Sequence, residues 1–361
     1  YIQSRMTSLK QKHFGEELTY TLSGNISKQT FLDGGSYTFA YDLLSRLTQA
    51  DYADGMANRS CSFSYDKNGN LLSLKRFAGS FSETINMSYG GDRMYQTTQR
   101  ADFDDGYTFK RYADNKKEYE YNTNGSLISA VNRGISSIKY NQLNLPEQMD
   151  VKHTSAEARN EYTYDAEGNK LNVKYRWNPQ FVTNPIIGSA VNESLLTMSR
   201  NVLYQGNHIW FDTKEMWLNE IGYRRPDTSK FYFYVKDNQG NNRVVIDQNG
   251  QVVQRNDYYP YGLPMGSAAG VPSGYYADKD HQPFKYNEKE LDRMHGMTLY
   301  DYNARTMDPT FPRFLTVDPS CEKYYGISLY AYCGNNFVNA IDPDGRDWYR
   351  HNETGNYYWR E

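Results

Sequence analysis

A tyrosine-anchored hairpin unit recurs along this 361-residue chain, and it constrains the fold more than any other feature. Tyr37-Thr38-Phe39-Ala40-Tyr41-Asp42 is followed by LLSRLTQ, and Phe63-Ser64-Tyr65-Asp66 by KNGNLLSLK. Tyr119-Glu120-Tyr121-Asn122 is followed by TNGSLISA, and Tyr162-Thr163-Tyr164-Asp165 by EGNKLNVK, with weaker copies at Tyr89 and Tyr140. Tyr41 to Tyr65, Tyr65 to Tyr89, Tyr140 to Tyr164 and Tyr234 to Tyr258 are each separated by 24 residues. In every unit aromatic and small polar residues alternate, so the rings line one face of a strand. The Asp/Asn-x-x-Gly-Asn stretch then supplies the positive-φ residues of a turn, and a second alternating run returns as the partner strand. A lone hairpin cannot bury its face, whereas stacked hairpins can. The reading is an all-β fold of repeated, stacked hairpins, with few short helices.

Composition sharpens this picture. The chain holds 35 Tyr beside 16 Phe and 5 Trp, with 27 Gly, and its mean hydropathy is low. Tyr packs its ring while its hydroxyl stays wet or finds a partner, so one wet, Tyr-rich face is expected. Charge is nearly balanced, with 40 Lys+Arg against 43 Asp+Glu and a formal net charge of −3, which argues against a nucleic-acid partner for the sheet. No run approaches the length of a membrane-spanning helix, so no membrane span is expected. The chain begins without Met or a charged-then-apolar leader and is expected to be part of a longer one. Cys61, Cys321 and Cys333 form no paired motif and are read as packing residues.

The repeats predict a β-shell over 1–177. Residues 178–230, punctuated by Pro179 and Pro185, read as an irregular insertion or transition, and 231–345 as a distinct core module. Helical signals are scarce: a short turn is predicted within 148–160, and Leu291 and Met294 stand at helical spacing within 287–295. The Pro/Gly-rich stretch 260–283 reads as a loop. The six His show no ligand spacing, and Asp66-x-Asn68-Gly69-Asn70 and its relatives lack the terminal Glu of a calcium loop. No metal and no cofactor is expected.

The units resemble YD repeats, named for their Tyr-Asp anchor. The C-terminal third resembles the core module of Rhs (rearrangement hotspot) proteins, shared by the C components of Tc toxins and, more distantly, by teneurins. The residues that carry this are DYYPYGLP (257–264), FKYNEKELD (284–292), LYDYNARTMDP (299–309), RFLTVDP (313–319) and LYAYCGNNFVNAIDPDG (329–345). The resemblance implies hairpins stacked into a long spiralling sheet that forms a hollow shell, or cocoon, encapsulating a C-terminal toxin domain, with 346–361 as the opening of that variable region. It also implies a bacterial effector that is secreted, delivered or held at the cell surface and used in interbacterial competition. A secretion-system component or chaperone and an immunity protein are the partners it suggests.

The same resemblance implies an aspartic-type self-cleavage just after the DPxG motif. The arginine of the AR-Y-Y motif falls on Arg305, the aspartate of RF-x-x-x-DP on Asp318, and the aspartate opening DPxG on Asp342. The junction comprises Gly345, Arg346 and Asp347, with Arg346–Asp347 as the expected scissile bond. Two adjacent carboxylates cannot both ionise, so one keeps a proton while the other activates water. A guanidinium beside them could hold one charged or polarise the scissile carbonyl. Two positions depart from the family pattern: Pro312 stands where Gly precedes Arg-Phe, and Arg346 where Leu or Met follows DPDG. Asp-Pro pairs are also ordinary turn sequences, which leaves open a shell that holds cargo without cutting. A teneurin-like adhesion or glycan-binding module, with aromatics facing outward, is the other reading.

Overall fold

The computed structural model describes residues 8–10, 13–32, 34–53, 58–114, 117–180, 184–266, 282–351 and 357–359. Its strands follow one another in chain order and pair antiparallel throughout. Nine strands from Ser8–Lys10 to Arg93–Ala101 form a first sheet, and thirteen from Tyr119–Tyr121 to Val252–Arg255 a second. Two small sheets follow, one of four strands between Glu290 and Phe314 and one of three between Ala340 and Trp359. Helical structure among the described residues is confined to single 3-10 turns.

The repeat unit has a physical basis in two side chains. The anchor Asp or Asn closes its own turn: Asp66 Oδ1 accepts from the backbone N–H of Asn68 and Asn70 at 2.9 and 2.8 Å. Asp42, Asn141, Asp165, Asp237 and Asp247 repeat the pattern at the same offsets. The anchor tyrosine ties one hairpin to the previous one through main chain. Tyr65, Tyr89 and Tyr164 donate to the carbonyls of Leu47, Leu71 and Pro146 at 2.7, 2.8 and 3.0 Å, each 18 residues upstream. Tyr41 and Tyr140 do the same to Ile26 and Leu127. The ladder shifts register at each of these tyrosines, and at Tyr41, Tyr65, Tyr140 and Tyr164 a five-residue turn begins there.

These hydroxyls are therefore not on a wet face. The rings of Tyr41, Tyr65, Tyr89 and Tyr140 pack against one apolar cluster that runs from Phe14 to the core module, while Tyr175, Tyr223 and Tyr232 belong to two smaller clusters of the second sheet. Phe63 meets Tyr261 and Phe337 at 5.5 and 5.7 Å, Phe109 meets Phe311 at 5.5 Å, and Tyr121 meets Tyr330 at 5.7 Å. The polar expectation fails because neighbouring carbonyls replace water as hydroxyl partners. Arg76, fully buried, pairs with Glu83 at 2.7 Å and Asp105 at 2.8 Å and lies over the Tyr259 ring, pinning the first sheet to the module.

Three local expectations are corrected and a fourth is refined. Residues 198–225 are not an irregular insertion but strands Met198–Gln205, His208–Phe211, Lys214–Asn219 and Gly222–Arg225, continuous with the second sheet. The short turn expected within 148–160 is present at Thr154-Ser155, but it is the turn of a hairpin between strands Pro146–His153 and Ala156–Tyr164 rather than a helical one. Residues 287–295 form 3-10 turns around strand Glu290–Asp292, because Asn287 and His295 take positive φ. The start of the 260–283 stretch is a buried turn in which Tyr259, Tyr261 and Leu263 are core residues, while 267–281 lie outside the described residues.

The strip comes round on itself. The Asn238 N–H donates to Glu16 Oε1 at 2.7 Å, and Arg243 lies over the rings of Phe14 and Phe31. At the other seam the Glu118 N–H donates to the Tyr95 carbonyl at 2.8 Å. The segment 328–339 seals the turn edge with amides. Asn335 donates to the Gly69 carbonyl at 2.8 Å, Asn339 accepts from the Ile26 N–H at 2.7 Å, and Tyr330 donates to the Gly125 carbonyl at 2.6 Å. This seal delivers the chain to residues 342–345.

Candidate functional site

Arg305 follows the tight turn at 302–305, after strand Leu299–Asp301, and its side chain is buried. The guanidinium stacks over the Phe314 ring at 3.6 Å, a contact that fixes its plane. From that plane Nη2 meets Asp318 Oδ2 at 2.8 Å and Asp342 Oδ2 at 3.2 Å. The same residue's Nε donates to the Gly345 carbonyl at 2.5 Å. The three residues matched from the sequence are thus brought together, and Gly345 joins them.

Each aspartate divides its two oxygens. Asp318 Oδ1 accepts from the Ser320 N–H at 2.7 Å, and Asp342 Oδ1 from the Gly345 N–H at 2.7 Å, so both close the turns that Asp-Pro sequences favour. The second oxygen of each is left for Arg305. The turn reading and the site reading of these motifs are therefore compatible.

Burial raises the Asp342 carboxyl to about 6, against the opposing pull of Arg305, and the charge of Asp318 adds to the rise. Burial also raises Asp318, again opposed by Arg305. The guanidinium is itself pushed down by burial, which its two carboxylates partly offset. Arg305 Nη1 is buried with no hydrogen-bond partner among the described residues. Two carboxylates sharing one cation, one of them titrating near neutrality, are an acid–base pair in composition.

The junction is gripped from outside the triad. Lys289 Nζ donates to the Pro343 carbonyl at 2.5 Å, and the Ala304 N–H to the Asp344 carbonyl at 3.0 Å. Gly345 takes φ +78°, and a Cβ there would stand 2.8 Å from the Tyr302 carbonyl oxygen and 2.9 Å from the Arg305 nitrogen. The Arg346 side chain is exposed, whereas Asp347 is bound to Lys323 at 2.9 Å. Sequence reasoning missed Phe314 and Lys289, although both lie in quoted motif stretches; only the ring beside the arginine in RF carried a signal.

No cluster of potential metal ligands occurs among the described residues. His153 is a packing residue, stacked on Tyr112 at 4.1 Å with Nε2 against the His295 carbonyl at 2.9 Å. Cys61 and Cys333 are buried and Cys321 is half-buried, all three free. No helix among the described residues is long and apolar enough to cross a membrane.

The teneurin YD-shell family model matches residues 1–145. Salivary gland surface protein 1 of Aedes aegypti is 30% identical over 245 residues, covering 64% of this chain and 7% of that protein. Toxin subunit YenC1 of Yersinia entomophaga is 24% identical over 313 residues, covering 78% of this chain and 28% of that subunit. The Photorhabdus luminescens Tc holotoxin pore superposes with a TM-score of 0.67 at 18% identity, over 92% of this chain and 17% of that one. The chain thus spans less than a third of the length of each of these relatives. Residues 1–145 thus carry the pattern of the teneurin YD-shell family, and the chain as a whole shares its all-β hairpin fold with the Tc toxin structure.

Proposed function

We propose that this chain is part of the shell of a bacterial Rhs-type toxin, enclosing a C-terminal effector domain that begins beyond the DPDG junction and cutting it free by a single-turnover aspartyl reaction. Two lines support the shell role: the family match, and aromatic rows that face the interior rather than an outer groove. The cargo domain is then the principal partner. A secretion component, a chaperone and an immunity protein belong to the same setting, with the protein delivered outside the producing cell.

The observation that carries the cutting reaction is Arg305 bonded at once to Asp318, Asp342 and the Gly345 carbonyl. In this reading Asp318, the more solvent-facing carboxylate, takes a proton from water as the water oxygen adds to the carbonyl carbon. Arg305 stabilises the oxyanion. Protonated Asp342 gives its proton to the departing amide nitrogen as the C–N bond breaks, leaving a carboxylic acid and an amine. The polarised carbonyl belongs to the Gly345–Arg346 bond, one residue before the Arg346–Asp347 bond expected from the sequence. Intact mass under denaturing conditions tests this: wild type splits at one of these two bonds, and Asp318→Asn and Asp342→Asn stay whole. A wild type that stays whole makes the shell a container without a cutter.

A further inference from the structure

We propose that the cavity between strands 198–225 and the segment 282–294 is a binding site for a small amphipathic anion, a single-chain carboxylate. The proposal goes beyond the shell and cleavage readings and rests on neither. The cavity has a volume of about 390 Å³, within the range of small-molecule sites. The hairpins that lack a Tyr-Asp anchor build one wall of it. Val202 pairs with Phe211 and Phe211 with Lys214, so these three share a face, and Arg200 and Met216 stand two residues along on the same side. Leu291 and Met294 line the opposite wall. Val202, Met216 and Leu291 are buried, whereas Lys214 is exposed and Arg200 and Arg225 are half-buried. Three cations thus stand on the solvent side of an apolar floor.

The hydrogen-bonding capacity left open here lies on donors. Each carboxylate in the lining is already engaged. Glu290 is held by Lys170 at 2.6 Å and by the Tyr204 hydroxyl at 2.8 Å. Asp292 accepts from the Met294 N–H at 2.8 Å and the Tyr175 hydroxyl at 3.2 Å, and Glu215 accepts from the Trp217 indole N–H. Gln282, by contrast, is 1% exposed; its Oε1 accepts from the Phe284 N–H, and its Nε2 has no partner among the described residues. Arg200 Nε is also unpartnered, standing 3.4 Å from Asp212 without hydrogen-bond geometry. Donors buried without acceptors are unfavourable, and a ligand that brings an acceptor relieves them. A carboxylate does so with a charge that meets the cations, while its chain covers the floor. An alkylamine brings only further donors, and an alcohol brings no charge.

Octanoate is the probe, titrated into the 361-residue chain with methyl-labelled methionine, because Met216 and Met294 report from the cavity wall. Saturable shifts of these two methyl signals are expected, assigned by Met216→Leu and Met294→Leu. Octan-1-ol and octylamine are expected to bind at least about tenfold more weakly than octanoate. Arg200→Gln/Lys214→Gln and, separately, Gln282→Leu are each expected to weaken octanoate by about tenfold or more. Methionine signals that octanoate leaves unmoved overturn the proposal. So does an alcohol or amine that binds as tightly, or octanoate affinity unchanged in the variants. Circular dichroism of each variant separates lost binding from lost folding, and the comparison of the three probes on wild type needs no variant.

Discussion

Arg305 reaches the Gly345 carbonyl with Nε at 2.5 Å while its Nη2 holds two carboxylates, so one planar cation connects the chemistry to the bond it would break. A lysine cannot reproduce this, since it offers a point charge and no fork. Arg305→Lys is expected to slow cleavage by about 100-fold or more. A time course of intact mass on freshly purified chain measures it.

The pH dependence follows from Asp342. Its carboxyl titrates near 6, and the proposed acid step needs it protonated. Cleavage is expected to be faster at pH 5 than at pH 8, falling about tenfold per unit on the alkaline limb. Rates that rise steadily towards pH 8 would contradict the assignment.

Gly345 is a steric requirement. At φ +78° any side chain is strained, and the added carbon would press on main-chain atoms of 302 and 305 that cannot swing away. Gly345→Ala is expected to abolish cleavage by displacing the carbonyl from Arg305, with a stability cost of about 1–3 kcal/mol. Thermal unfolding and intact mass together read both effects.

The repeat anchors differ in importance. Tyr65→Phe keeps the ring but leaves the Leu47 carbonyl without its hydroxyl partner, at a cost of about 1 kcal/mol. Asp66→Ala removes both turn contacts and the bond to the Asn70 side chain, and is expected to cost about 2 kcal/mol or more. Denaturant unfolding of both variants gives the order.

Glu16 makes the seam between the ends of the strip sensitive to pH. Burial raises its carboxyl to about 7, and Asp237 adds to the rise, while Gln29, Asn238 and Arg243 oppose it. The folded protein therefore holds this proton more tightly than the unfolded chain does. The stabilisation is complete below about 4.5 and is lost as pH climbs through about 7. Glu16→Gln is expected to raise stability at pH 8 by roughly 2–3 kcal/mol relative to wild type and to flatten the profile. Melting temperatures from pH 4 to pH 8 check the sign.

Much of this fold was legible because its turns are self-contained. Asp66 and its counterparts satisfy turn N–H groups within five residues, so the motif reads without tertiary knowledge. Strands 198–225 were hidden for the opposite reason. Their hairpins close through two-residue turns at Gly206-Asn207 and Asp212-Thr213, with no Tyr-Asp anchor to announce them. The buried state of the tyrosines was also out of reach, since carbonyl partners 18 residues upstream are a property of stacking. The site followed family motifs as far as Arg305, Asp318 and Asp342. The Gly345 carbonyl, the Phe314 ring and the Lys289 contact depend on backbone geometry that spacing does not encode.

Because each anchor tyrosine addresses a main-chain carbonyl rather than a chosen side chain, the joint between hairpins is indifferent to which residues flank it. A strip built this way can lengthen or shorten by whole hairpins without redesigning any interface. The length of the strip is then set by copy number, which gene duplication changes freely. Residues 328–339 need only meet the turns they touch. A lineage could in this way fit one sealing segment to strips of many lengths.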